Sequence, residues 1–316
     1  MSAPRPTQPD RRRYVGRFAP SPSGPLHLGS IVAALGSWLD ARAAGGRWLL
    51  RIEDLDPPRE RAGAADRIRT QLQALGLHWD GAVTLQSNHG ARYAEALRRL
   101  AAARLVYGCR CTRRDAARWP RAPDSDEALY PGICRGAGLP VSVAAGGAGA
   151  PGPALRAGRL AIRWRLPDAI VRFDDRLLGP QDQHPSRDAG DPVLRRADGL
   201  WAYQLAVVVD DGDSGVTDVV RGRDLLTNTG RQILLQQALG LPTPRYLHLP
   251  LVTDASGRKL SKHEGDDPAG IADPVATLDA AARWLRIAPI AAGSTDVGHW
   301  LDRAIDAWRS RLSAQA

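Results

Sequence analysis

The stretch that decides the fold runs Tyr14-Val15-Gly16-Arg17-Phe18-Ala19-Pro20-Ser21-Pro22-Ser23-Gly24-Pro25-Leu26-His27-Leu28-Gly29-Ser30. Its first five residues predict a short strand. Residues 19–25, rich in Pro, Ser and Gly, predict a stiff turn, and Ile31, Val32, Leu35, Trp38 and Leu39 then recur at helical spacing. A strand, a rigid loop and a helix in that order place the helix's unsatisfied N–H groups and positive potential beside the strand end, which suits phosphate. Here the prolines fix the loop, Gly24 allows close backbone approach, His27 can donate to a phosphate oxygen and Gly29 leaves room for a flat base. Taken alone, the same residues make an ordinary turn before a helix.

Working outward, the apolar run 48–52 ends in Glu53-Asp54-Leu55-Asp56, followed by Pro57, Pro58 and a helix carrying Ile68, Leu72 and Leu75. This alternation predicts right-handed βαβ units and a mostly parallel sheet, an α/β Rossmann-like domain. Sites in such sheets lie at the carboxyl ends of strands, where residues 18–21 and 53–56 would emerge. From 105 to 196 the pattern loosens into a segment holding all three cysteines, many arginines and a Gly/Ala-rich tract at 141–153. Regularity returns with the apolar run 201–209, which ends at Asp210-Asp211. A strand over 216–220 leads into Arg221-Gly222-Arg223-Asp224 and a helix through Ile233, Leu234 and Ala238. Helical patterns at 275–285 and 298–312 close the chain. The expected division is therefore a tail at 1–13, a first half of the catalytic domain at 14–104, an insertion at 105–196, a second half at 197–250, and a loop with a helical part at 251–316.

The chain has 316 residues, 43% of them hydrophobic and 24% charged, which is globular composition. No stretch approaches the roughly 20 apolar residues that cross a bilayer. The Pro- and Arg-rich residues 1–13 read as neither signal peptide nor anchor, so a cytoplasmic protein is expected; a monomer is expected besides. A net charge of +9 suggests an acidic partner. Of the 43 basic residues 41 are arginine, and lysine occurs only at Lys259 and Lys262, in Gly257-Arg258-Lys259-Leu260-Ser261-Lys262-His263. Two lysines scattered at random among the basic positions would land on this pair roughly once in 900 draws, so here arginine does not substitute for lysine. Ammonium groups on flexible stems can follow a moving charge on a triphosphate. Three cysteines within 26 residues, Cys109, Cys111 and Cys134, suit tetrahedral zinc and need a fourth ligand; Tyr130, Asp115, Asp124 and water are candidates.

His27-Leu28-Gly29-Ser30 and Lys259-Leu260-Ser261-Lys262-His263 resemble the two signatures of class I aminoacyl-tRNA synthetases, although His263 stands where that signature usually ends in serine. Residues 16–24, Arg51-Ile52-Glu53-Asp54-Leu55-Asp56, Val209-Asp210-Asp211 and Val220-Arg221-Gly222-Arg223-Asp224 resemble the glutamate-specific branch. Only residues 264–316 follow His263, where a glutamyl-tRNA synthetase would carry a large anticodon-binding region. Cys109-x-Cys111 with Tyr130-x-x-x-Cys134 further resembles the zinc site of the short glutamyl-Q tRNA(Asp) synthetases.

The resemblance implies ATP, with Mg²⁺, held by His27, Gly29, Ser30, Lys259 and Lys262, with His27 and Lys262 catalytic. It implies L-glutamate held by Arg17, Ala19, Ser21, Glu53, Tyr203 and Arg221, and zinc held by Cys109, Cys111, Tyr130 and Cys134. The charges agree: two carboxylates need two cationic forks, Arg17 and Arg221, and the ammonium needs an anion, Glu53. The implied acceptor is the queuosine base in the anticodon of tRNA(Asp). A conventional or truncated glutamyl-tRNA synthetase, a non-catalytic synthetase-derived RNA-binding protein and a small-molecule nucleotidyltransferase are the rival readings. Arg110, Arg113, Arg114, Arg118 and Arg121 either touch tRNA phosphates or form a solvated face.

Overall fold

The computed structural model describes residues 14–121, 127–141, 160–253, 272–287, 290 and 296–314. Lys259, Lys262, His263 and Asp124 lie outside the described residues. In chain order the elements are β1 (Val15–Phe18), α1 (Leu28–Ala43), β2 (Arg47–Ile52), α2 (Ala64–Ala74), β3 (Thr84–Leu85), α3 (Gly90–Ala102), β4 (Val106–Cys109), α4 (Arg113–Ala116), β5 (Ala161–Trp164) and β6 (Val171–Asp175). They continue with β7 (Gly179–Gln183), α5 (Pro185–Asp188), β8 (Val193–Arg195), α6 (Tyr203–Asp213), β9 (Asp218–Gly222), α7 (Thr229–Leu239), β10 (Arg245–Leu249), α8 (Pro274–Trp284) and α9 (Val297–Ser313).

The expected parallel sheet forms in two halves. Strands β1, β2 and β3 pair in parallel, Val15 opposite Arg47 and Phe18 opposite Leu50. Strands β9 and β10 pair in parallel, Asp218 opposite Arg245 and Gly222 opposite Leu249. The halves meet where the Thr217 N–H donates to Val15 O at 2.9 Å and the Val15 N–H donates to Thr217 Oγ1 at 2.9 Å. The carboxyl ends of β1 and β9 thus emerge side by side.

Segment 105–196 divides between two sheets. Its first part makes the antiparallel sheet β4-β5-β8, with Val106 opposite Trp164 and Cys109 opposite Ala161. Its β6–β7 hairpin instead extends the second half of the main sheet, β6 running parallel to β10. Alternation in β6 holds over Val171-Arg172-Phe173-Asp174 and is broken only where the charged Asp175 takes a buried position, which leaves a strand too short for a hydropathy reading to find. The apolar run 201–209 forms helix α6, covered on most sides, so no polar stripe interrupts it.

The main core packs α1 on β1 and β2 and α8 and α9 on α1, with Trp48, Trp300 and Trp308 fully buried; a second gathers α3, α6 and α7 around Leu97, Leu205 and Leu235. One buried carboxylate joins four parts of the first core. Asp40 accepts from Tyr14 Oη at 2.5 Å, from both terminal nitrogens of Arg176 at 2.6 and 3.0 Å, and from Trp308 Nε1 at 3.1 Å. Through Trp308 this carboxylate ties α9 to α1.

Candidate active site

The loop after β1 is fixed by side chains from elsewhere. Gln71 on α2 accepts the Leu26 N–H at 2.7 Å, and the Glu53 N–H donates to Pro20 O at 3.0 Å, tying together the ends of β1 and β2. Gly24 has φ +143°, and a Cβ there would come no closer than 3.9 Å to Arg61. The backbone conformation, rather than close approach, is what calls for glycine. His27 caps α1, its Nδ1 accepting from the Ser30 N–H at 3.4 Å and its Nε2 meeting Ser30 Oγ at 3.1 Å. A Cβ on Gly29 would sit 3.1 Å from His27 Cε1, so this glycine accommodates the folded-back imidazole.

Two adjoining clefts open at the strand ends. The first, about 290 Å³, is lined by Arg17, Ala19, Ser21, His27, Gly29, Ser30, Arg221 and the start of the segment after β10. The second, about 780 Å³, is lined by Ser21, Glu53, Asp56, Arg113, Arg196, Trp201 and Tyr203. Ser21, Ser23, Asp224 and Leu225 belong to both walls. All the residues expected to hold glutamate, and the three described residues expected to hold ATP, therefore line this paired cleft.

Arg17 of the first cleft and Glu53 of the second are joined through Arg51 and Asp211 in a charge network that motif reading did not reveal. Arg17 Nε donates to both oxygens of Asp211 at 3.2 and 3.3 Å; Arg51 reaches Asp211 at 2.7 Å and Glu53 at 3.3 Å. Burial would raise the Asp211 carboxyl, but Arg17 and Arg51 hold it below the usual carboxylate range. Burial pushes the Glu53 carboxyl up, against the pull of Arg51 and Arg17. An incoming ammonium would offset that burial, which is the property wanted of its anion. Burial likewise raises the Tyr203 hydroxyl. The adjacent Asp210 stands with its Oδ2 3.8 Å from Arg51 Nε and accepts from Gln86 Nε2 at 2.8 Å and Tyr93 Oη at 2.7 Å, beside His89 Nδ1 at 2.6 Å.

Arg221 is held from several directions: by His248 Nε2 at 3.1 Å, Gln232 Oε1 at 2.7 Å, Thr229 Oγ1 at 2.8 Å and Leu225 O at 3.3 Å. His248 Nδ1 lies 2.7 Å from Asp175 Oδ2. Because Nε2 accepts from Arg221, the imidazole is neutral with its proton on Nδ1, donated to Asp175. Burial, helped by the Arg221 charge, lowers its pKa against the pull of Asp175. Strand β6 thus supplies a residue to the site, which its distance in sequence concealed.

The thiols come together as the spacing predicts. Cys109, Cys111 and Cys134 Sγ lie within 4.8 Å of one another, Cys111 and Cys134 at 3.7 Å. Tyr130 Oη is 3.7 Å from Cys109 Sγ. A tetrahedral zinc with Zn–S of about 2.3 Å sets neighbouring sulfurs about 3.8 Å apart, so the donor set fits. Burial and the adjacent thiols push Cys111 up to about 12. Crowded acceptors that resist ionising together are what a divalent cation reconciles. Asp115 is used elsewhere: its Oδ2 accepts from the Thr112 N–H at 2.7 Å and hydroxyl at 2.8 Å, capping α4. The unanticipated neighbour is Arg163 on β5, whose Nε lies 3.3 Å from Cys109 Sγ and whose guanidinium stands 3.8 Å from the Tyr130 ring centroid. No local signal marks Arg163, since it is joined to the cysteines only through the β4–β5 pairing.

The model of the catalytic domain of class I tRNA synthetases (E and Q) matches residues 14–119 and 154–269. The class is thereby set. A glutamyl-Q tRNA(Asp) synthetase of Bordetella bronchiseptica is 51% identical over 309 residues, covering 96% of this chain and 91% of the relative. One of Leptothrix cholodnii is 51% identical over 307 residues, covering 94% and 97%. A crystal structure of a glutamate tRNA ligase from Elizabethkingia meningosepticum in complex with its amino acid is 27% identical, with a TM-score of 0.65, covering 81% of this chain. The chain spans 53% of that ligase's length. The chain belongs to the glutamyl-Q tRNA(Asp) synthetase family of class I synthetases.

Proposed function

We propose that the protein activates L-glutamate with ATP as glutamyl-adenylate and transfers the glutamyl group to the queuosine base in the anticodon of tRNA(Asp). The observation that carries this reading is the paired cleft: a phosphate-suited helix start opens beside a wall bearing Arg17, Arg221 and Glu53. The named relatives agree with it. Arg17 and Arg221 receive the two carboxylates, Glu53 receives the α-ammonium, and Ser21, Ala19 and Tyr203 complete the amino-acid site.

In the first step a glutamate carboxylate oxygen attacks the α-phosphorus of ATP and pyrophosphate leaves. Charge gathered on the phosphates in the transition state is stabilised by His27, the α1 N-terminus and Lys262, with Lys259 binding the nucleotide. Gly29 and Ser30 border the nucleotide, and Mg²⁺ accompanies it, held mainly by phosphates and water. In the second step a hydroxyl of the queuosine ring attacks the glutamyl carbonyl carbon, and AMP leaves. Zinc, when bound by Cys109, Cys111, Cys134 and Tyr130, supplies a structural cross-link. Arg110, Arg113, Arg114, Arg118 and Arg121 are exposed on this module, and Arg113 also borders the larger cleft. They form the face offered to RNA phosphates. The reading places the protein in the cytoplasm with its tRNA. It also takes it as a monomer, since Leu85, Ile133 and Ile170 are the only exposed large hydrophobic residues among those described.

The test supplies labelled glutamate and ATP with tRNA(Asp) carrying or lacking queuosine. Label retained only on the modified tRNA is expected. Label on an unmodified 3′ end would favour a conventional glutamyl-tRNA synthetase, and failure to form adenylate would favour a non-catalytic RNA-binding protein.

A further inference from the structure

Arg231 on α7 is 1% exposed, and its charge is met from outside the catalytic sheet. Its two terminal nitrogens donate to the two carboxylate oxygens of Glu127 at 2.9 and 2.7 Å. Glu127 stands three residues before Tyr130, on the segment that carries Cys134. That segment is closed on itself, the Cys134 N–H donating to Tyr130 Oη at 2.8 Å. A two-pronged fork fixes angle as well as distance, and a buried guanidinium loses its carboxylate only at considerable cost. The thiol-bearing segment and the first turn of α7 are therefore clamped together.

The clamp continues to the amino-acid wall. Arg231 also donates to Asn228 Oδ1, which accepts from Gln204 Nε2. Gln204 Oε1 accepts from Gln232 Nε2 at 3.4 Å, and Gln232 Oε1 accepts from Arg221 at 2.7 Å. Thr229, on the same turn of α7, holds the other terminal nitrogen of Arg221. Gln204 directly follows Tyr203. Every link from Glu127 to Arg221 is thus a hydrogen bond.

We infer that the Glu127–Arg231 pair is a strut by which the thiol module sets the position of Arg221, so that Glu127 is a positioning residue for glutamate and the state of the thiol cluster is felt at the amino-acid wall. The inference rests on the proposed glutamate activation. Neither residue touches substrate in it. Chains of this kind carry coupling large enough to change an affinity roughly tenfold.

The experiment uses the full-length protein loaded with zinc, reading glutamate-dependent ATP–pyrophosphate exchange together with calorimetric glutamate binding. Glu127→Gln is expected to raise the glutamate KM about tenfold, leaving kcat and the ATP KM within about twofold. Since that variant leaves a buried cation short of its partner, the double variant E127L/R231M replaces the pair with apolar side chains. It is expected to match the wild-type unfolding midpoint yet show the same rise in glutamate KM and Kd. Removing the metal with a chelator, verified by elemental analysis, should weaken glutamate binding in the wild type and add nothing in the double variant. A stably folded double variant with wild-type glutamate affinity overturns the inference. So does chelation that leaves wild-type binding unchanged, or that weakens both proteins by equal factors. A wild-type protein with no glutamate-dependent exchange overturns the proposed activation itself, and the strut with it.

Discussion

In the amino-acid wall, Arg17, Arg51 and Asp211 are buried and the half-buried Glu53 joins them with opposite charges in contact, whereas in the thiol module Cys109, Cys111, Cys134 and Tyr130 crowd acceptor against acceptor with Arg163 as a neighbouring cation. The wall is balanced by its own side chains, across elements far apart in sequence. The module gathers residues close in sequence and is balanced once a divalent cation joins it. One region is therefore vulnerable to loss of a single partner, the other, on the proposed reading, to loss of the cation its donors would hold. The Glu127–Arg231 fork lies between them, which lets the two vulnerabilities be tested separately and together.

The largest effect is expected at the wall. Asp211→Asn removes the carboxylate shared by Arg17 and Arg51, so that Arg17 loses the carboxylate it donates to in a buried site while Arg51 keeps Glu53 at 3.3 Å. Loss of about 3–5 kcal/mol in chemical denaturation is expected. A loss below about 1 kcal/mol would mean that water reaches the wall and that the balance described there is not needed. Next comes Cys134→Ser in the module, which removes one of four donors. Zinc affinity, measured by competition with a chromogenic chelator, should fall at least about 100-fold, and hydrogen exchange should rise in β4 and residues 127–141 but not in β1 or α1. Unchanged affinity would remove Cys134 from the ligand set.

The two regions also differ in how far they were legible. The β1 loop, the α1 start and the cysteine spacing are local patterns, and the structure brings their described residues together much as the spacing implies. Asp211 shows in the sequence as the end of an apolar run and within a family-like stretch, but with no sign of what it pairs with. Its partners Arg17 and Arg51 lie 194 and 160 residues away, a separation that no window on the chain can bridge. Arg163 and His248 were hidden for the same reason, one behind a strand pairing and the other behind the parallel contact of β6 with β10. Local chemistry announces who binds; sheet topology decides who holds the binders in place.

A third, smaller effect follows from His248. Its folded pKa lies below its ordinary value near 6.5, so the fold favours the neutral form. The stability this contributes is complete above pH 6.5 and is lost as the pH falls toward the folded pKa, at no more than about 1.4 kcal/mol per pH unit. His248→Asn should flatten that part of the stability profile. In the wild type, protonation of Nε2 would also end its acceptance from Arg221, so the glutamate KM should rise on the acid side and stay level between pH 7 and 8. A KM that rises already above pH 7 would show that a different group limits binding.

The smallest effect is expected on the nucleotide side, and there stability and binding should part. Gly29 lies in α1, where its conformation suits any residue, so Gly29→Ala gains up to about 1 kcal/mol of helix propensity, set against the loss of the long 3.4 Å His27 cap. The new methyl would meet the His27 ring at 3.1 to 3.2 Å, closer than ordinary van der Waals contact, and would turn the imidazole out of its place over Ser30. The expected result is an ATP KM several-fold higher, with an unfolding midpoint equal to or above that of the wild type. A raised midpoint with an unchanged ATP KM would show that the folded-back imidazole is a helix cap and nothing more. A raised KM would make the cap and the phosphate ligand one side chain in two positions, with Gly29 as the space that allows both.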